Sequence, residues 1–345
     1  MNKSRILLAS GYRMGASGFT LIELMIAMLL GVIVIGAVGS VFLAGQQTYR
    51  SNEALSDVQE SSRIAFEMLT RDIRGAGENG CDSTSGRVAN VLKNQASDWW
   101  ANWGNVVRGY NEGQTDPGVA FGSGQGQRVA GTDSIQLIGS TALPLAIEKM
   151  PDNSANFKLA EPTSQLSKGD IIILCDPDHA AILQITNYNN DLNVVRNTGS
   201  SQSPGNCSKG LGFPTDCSSV TGNGYSFGSN ARISKLSATD WYIGNNPETG
   251  GRSLYRMALV SGGSSADGDV DDVAQEMVRN VTDMQITYLD DSGGFRSADQ
   301  ITDWSKVLAV QVMLTVQSTD PRAGVDAKPL SRKFTTTTTL RNRVF

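Results

Sequence analysis

The chain has 345 residues, of which 37 are glycine and only 18% are charged, with a formal net charge of -5. An acidic balance without a basic patch excludes a nucleic-acid footprint. Four cysteines (Cys81, Cys175, Cys207, Cys217) and one histidine (His179) exclude most rich metal sites and most histidine-dependent catalysis, and they fit extracytoplasmic disulfides better.

Residues 1–18, MNKSRILLASGYRMGASG, carry Lys3, Arg5 and Arg13 with no acidic residue and end in small side chains, which makes them a basic leader. From Phe19 to Ala44 the chain is apolar apart from Glu23 and a few hydroxyls, longer than the ~20 residues needed to cross hydrocarbon. The positive-inside rule keeps the leader cytoplasmic and sends the rest across, where disulfides form. In a secretory signal the small-residue cleavage site follows the apolar run; here it precedes it. A cut after Gly18 therefore removes the leader and leaves the hydrophobic helix on the mature chain, with Phe19 as its amino terminus. A carboxylate at the centre of a bilayer helix costs about 2.5 kcal/mol or more, so Glu23 needs a partner.

Beyond Gly45 the chain turns polar, but Leu55, Val58, Ala65, Phe66, Leu69 and Ile73 recur at three- and four-residue steps, the pattern of an amphipathic helix. No proline interrupts Phe19 to Arg74, so one helix is expected, with a membrane half (19–45) and an amphipathic half (46–75) ended by Gly75 and Gly77. Residues 76–345 then read as a β-rich head with long loops, giving an α+β chain. Eight strands are predicted: 134–139, 170–176, 180–188, 192–197, 253–260, 284–290, 306–318 and 333–341. Segments 98–130, 199–230 and 261–272 read as loops. Within the first, DWWANWGN (98–105) is read as core or loop anchoring, with a recognition surface as the alternative. The threonine run near the carboxyl terminus reads as a two-faced strand.

Four cysteines allow three pairings. The ten-residue spacing of Cys207 and Cys217 favours a local bridge and leaves Cys81 for Cys175. A structural zinc site has no CxxC pair to stand on. The cluster DGDVDD offers Asp267, Asp269 and Asp271 as calcium ligands, but it lacks the glycine and the bidentate glutamate of an EF-hand loop. A solvated loop is the plainer reading, and Asp290 and Asp291 before SGG read as a turn. No GxSxG, phosphate-binding loop or HExxH occurs. His179, between Asp178 and the run AAI, reads as a loop residue, so neither catalysis nor a cofactor is expected.

The order GFTLIEL resembles a type IV prepilin signal. The resemblance implies that a membrane peptidase cuts between Gly18 and Phe19 and that Phe19 is N-methylated, with Glu23 the assembly carboxylate. Many major pilins have a proline where Ser40 stands here. LTRDIRGAGENGC (69–81), KGDIIILCDPDHAAILQIT (168–186), WYIGNNPETGGRSLYRM (241–257) and FTTTTTLRNR (334–343) resemble PilW-type minor pilins. That family implies a subunit that starts as a single-pass inner-membrane protein with a periplasmic head and ends at the pilus tip. Its implied partners are other minor pilins, the major pilin, prepilin peptidase, the inner-membrane assembly machinery and a large tip adhesin. Type II secretion pseudopilins share the leader, and a pilus-delivered adhesion subunit is the other alternative.

Overall fold

The computed structural model describes residues 18–81, 86–93, 95–151, 154–199, 201–248, 250–262, 270–324 and 328–343. Its one long helix, α1 (Leu21–Gly75), has 55 residues, and the chain divides into two units, up to Glu53 and from Ala54 onward.

In the first unit α1 runs without interruption through Ser40, whose hydroxyl donates to the Ala37 carbonyl at 2.8 Å. Serine supplies its own backbone N–H to the helix, which proline cannot do.

In the second unit the rest of α1 buries Ala54, Val58, Ser62, Ala65, Leu69 and Ile73 along one stripe. The stripe starts on small residues: Leu55 and Phe66, read as part of it from spacing, are only half-buried, while Ala54 and Ser62 lie inside. Leu69 and Ile73 are fully enclosed, each contributing about 1.5–3 kcal/mol through burial.

Among the described residues the head has two sheets. The larger contains β1 (Val88–Asn90), β2 (Val107–Tyr110), β3 (Ser134–Lys149), β4 (Asn156–Leu159), β5 (Ile171–Cys175), β6 (Ala180–Gln184), β7 (Asn187–Asn189), β8 (Asn193–Val195), β9 (Arg232–Asn246), β10 (Gly251–Val260) and β11 (Asp271–Arg279). Its main path runs β1-β6-β5-β9-β3-β4-β8-β7, with β2 on β3 and a β10–β11 ribbon on β9. The pairing is antiparallel except between β1 and β6, which is parallel. The smaller sheet joins β12 (Val281–Leu289), β13 (Phe295–Arg296), β14 (Ala309–Gln317) and β15 (Ser331–Thr339) in the order β13-β12-β14-β15.

The unbroken apolar run of β5 reflects burial on both faces. Ile171, Ile173 and Cys175 join the core that contains the helix stripe, whereas Ile172 and Leu174 join a second core with Phe157, Leu211 and Phe227. The loop 199–230 thus covers the far face of the sheet. In the smaller sheet Met284, Ile286, Tyr288, Val310, Val312 and Leu314 alternate inward to the helix-side core. The threonine strand β15 pairs only with β14, so it is an edge, and it is two-faced as expected: Phe334, Thr336 and Thr338 turn toward the head while Thr335, Thr337 and Thr339 are exposed.

Several predicted boundaries shift. Strand 134–139 extends to Lys149 through an irregularity between Ala142 and Leu145, beside Pro144, and 180–188 breaks into β6 and β7. The predicted loop 98–130 contains β2 and two 3-10 turns, and the loop 261–272 overlaps the start of β11. The longest omission is β9, whose inward positions include Ser234, Thr239 and Asp240, so its apolar alternation is broken by buried polar residues.

Helix and sheet meet at the end of α1. A Cβ on Gly139 would collide with the Gly75 carbonyl, and beside it the Gly77 amide donates to Ile138 O at 2.8 Å. Trp241 on β9 donates its indole N–H to Asp72 at 2.9 Å. Burial pushes the Asp72 carboxyl up, and the Trp241 bond opposes that rise. Two disulfides brace the head: Cys81–Cys175 ties the chain leaving α1 to the end of β5, and Cys207–Cys217 closes part of the covering loop.

Candidate functional site

The segment around Gly18, Phe19 and Glu23 is built by a reciprocal helix cap. Thr20 precedes the first helical residue, and its backbone N–H and hydroxyl both donate to Glu23 Oε2, at 3.0 and 2.9 Å. The Glu23 amide in turn donates to the Thr20 hydroxyl at 3.3 Å. This is a Thr-x-x-Glu capping box, which satisfies helix-end donors that otherwise lack partners. Glu23, a lone charge by composition, thus has a partner within its own chain in Thr20, and the T-L-I-E spacing carries the signal. Gly18 and Phe19 stand ahead of the helix without regular structure.

Beyond this cap the surface up to Leu43 is apolar apart from Ser40, and it is uncovered. Phe19 is 89% exposed, and each large apolar residue from Leu21 to Leu43 is more than half exposed. The most apolar window has a mean hydropathy of 2.7, with no residue buried. Monomers in water seldom expose so large a contiguous apolar patch, so this surface suits hydrocarbon or other apolar helices. Gly31, Gly36, Gly39 and Gly45 leave open space where a Cβ would stand, which permits close approach by another helix.

The head's other candidates resolve as structural. Trp99 and Trp100 are buried, and the Trp99 indole donates to Asp272 at 3.0 Å, so the tryptophan segment anchors the loop to β11 instead of offering a recognition surface. Asp267 and Asp269 lie outside the described residues, and Asp271 is exposed at the start of β11. Among the described residues no three metal-ligating side chains gather. Asp290 accepts from Ser292 and Arg296 in the expected turn. His179 sits between β5 and β6 but is buried: its Nε2 lies 2.5 Å from Leu211 O and its ring stacks on Tyr225 at 4.1 Å, holding the covering loop down.

A buried polar network went unread in the sequence. Asp116 receives bonds from Ser134 and, at 2.5 Å, from Gln136, which also reaches Asp240 at 3.3 Å. Burial and the neighbouring Asp116 charge push the Asp240 carboxyl well up. Arg128, fully buried, donates to the carbonyls of Tyr110, Asn111, Gln114 and Thr132 and so ties residues 110–132 into one body. Asp133, accepting from the Ile286 amide at 2.6 Å, is pushed up to about 6 by burial.

Comparison with protein families gives two matches. Residues 13–39 match the prokaryotic N-terminal methylation motif, which spans the capping box and the exposed apolar helix. Residues 240–342 match the family of the type IV pilus-assembly protein W, and they comprise the end of β9, the β10–β11 ribbon and the whole smaller sheet. The segments 69–81 and 168–186, which carry part of the sequence resemblance, lie outside both matches. No curated protein matches the chain.

Proposed function

We propose that this pilin-like component of a type IV pilus is a minor pilin of the PilW type, made as a precursor and cut between Gly18 and Phe19. On this reading residues 1–18 are the leader, residues 19–45 anchor the subunit in the inner membrane and later pack in the filament, and 46–75 carry the head, residues 76–345. The head is periplasmic before assembly. The subunit joins other minor pilins in a priming complex that starts assembly with the inner-membrane machinery, meets the major pilin and supports a large adhesin at the tip. Its role is structural, not catalytic.

The observation that carries this reading is the capped Glu23, the only charged residue between Phe19 and Tyr49, inside an uncovered apolar helix. Cleavage creates an ammonium at Phe19 within the same apolar environment. Both Thr20 bonds end on Oε2 of Glu23, leaving Oε1 for the amine of an adjoining subunit. Where water is scarce such a pair is strongly attractive, and an unmatched charge is penalised, so register follows from charge alignment. The match to the type IV pilus-assembly protein W family supports a pilus over a type II secretion system. Glu23→Ala should still be cut but should lose co-purification with partner minor pilins. Undiminished recovery of those partners would sink the register mechanism.

A further inference from the structure

Arg196, just beyond β8, is 3% exposed. Its Nη1 donates to Lys209 O at 2.5 Å and its Nη2 to Ser154 O at 2.8 Å, while its Nε has no partner. A buried cation is ordinarily matched by an anion. Lys235 meets buried Asp170 at 2.9 Å, and Arg128 has Asp116, Asp133 and Asp240 in its field. Arg196 has no acidic counterpart among the described residues, and burial alone lowers its pKa to about 10.

Arg196 lines a cavity of about 320 Å³, together with Lys209, Tyr225, Met150, Thr221 and Gly224. The walls are firmly built. Lys209 and Gly212 donate backbone bonds to Val220 O and Asn223 O at 2.8 and 2.7 Å, so the two legs of the covering loop run against each other. A Cβ on Gly212 would stand 2.8 Å from Gly224 O, which shows how closely they approach. The Cys207–Cys217 bridge ties the same loop. Tyr225 is fixed by its stacking on His179 and by donating its hydroxyl to Asp176 at 2.8 Å.

We propose that this cavity binds a small organic carboxylate, with Arg196 and Lys209 neutralising the carboxylate and Tyr225 and Met150 packing against the body of the ligand. Two cations without an acidic partner among the described residues, a partly apolar wall and a volume at the lower end of small-ligand sites favour this class. The carboxylate can belong to an acidic sugar or to the end of a peptide. The proposal rests on the head alone and stands or falls separately from processing at Gly18.

The test is calorimetric titration of the full chain in detergent micelles with sodium galacturonate and with acetyl-alanyl-alanine. Galactose and the amide of the same peptide serve as neutral counterparts, and inorganic phosphate as a plain anion. Saturable binding of either carboxylate, absent with its neutral counterpart, supports the proposal and identifies the source. Lys209→Gln, on a half-exposed side chain that leaves the fold intact by tryptophan fluorescence, should weaken it about tenfold, and Arg196→Gln should abolish it. Binding of phosphate alone, equal binding of the neutral compounds, no saturable heat with either carboxylate, or unchanged affinity in Lys209→Gln would overturn it.

Discussion

Replacing Cys81 and Cys175 together by alanine should cost the head more than replacing Cys207 and Cys217. The first bridge spans 94 residues and the second 10. The entropy removed from the unfolded chain by closing such loops corresponds to about 4.7 and about 2.7 kcal/mol, a difference of about 2 kcal/mol. The first pair also joins two elements of the helix-side core: Cys175 is fully buried there and Cys81 packs against it. The second braces a covering loop. Urea unfolding of the oxidised full chain in detergent measures both, because all five tryptophans (99, 100, 103, 241 and 304) lie beyond Ala54 and report on the head. An equal or larger loss in the Cys207/Cys217 variant would refute the claim that the bridge from the helix exit to β5 is the main covalent brace.

Two further perturbations probe the interior. Asp133 titrates near 6 in the fold against about 3.9 when unfolded, so its contribution is fully present below pH 4 and is lost as pH rises to about 6, by up to roughly 3 kcal/mol. Asp133→Asn should flatten that part of the stability profile, and an unchanged profile would show that burial does not raise this carboxyl. For the helix-to-sheet bond, a double-mutant cycle of Asp72→Ala and Trp241→Phe should yield a coupling of about 1.5–3 kcal/mol, the range for a hydrogen bond to a charged group. Additivity would mean that the 2.9 Å bond contributes nothing.

What could be read from the residues differs by element. The long helix was legible because its apolar pattern changes from continuous to periodic without a proline, and β5 because four consecutive large apolar residues demand cover on both faces. Strand β9 was not, since Asp240 and Ser234 are buried and meet partners far away in the chain, Gln136 at a separation of 104 residues and Asn79 O at 155. The same holds for Arg128, whose four carbonyl acceptors gather only after the loop has folded. In the amino-terminal segment Gly18, Phe19 and Glu23 were legible from residue order alone. Thr20 is less legible, because its role as a cap depends on the T-x-x-E spacing alone and leaves the apolar pattern of the segment unchanged. The tryptophans were ambiguous because composition does not distinguish an anchor from a binding surface; only the Trp99 bond to Asp272 does.

The most direct measurement is the intact mass and amino-terminal sequence of the chain purified from its native membrane. The mature protein should start at Phe19 with a methylated amine and retain the helix, and a Gly18→Leu variant should keep the leader. A native chain that still begins at Met1, or one cut beyond Ala44 so that the apolar helix is gone, would contradict it.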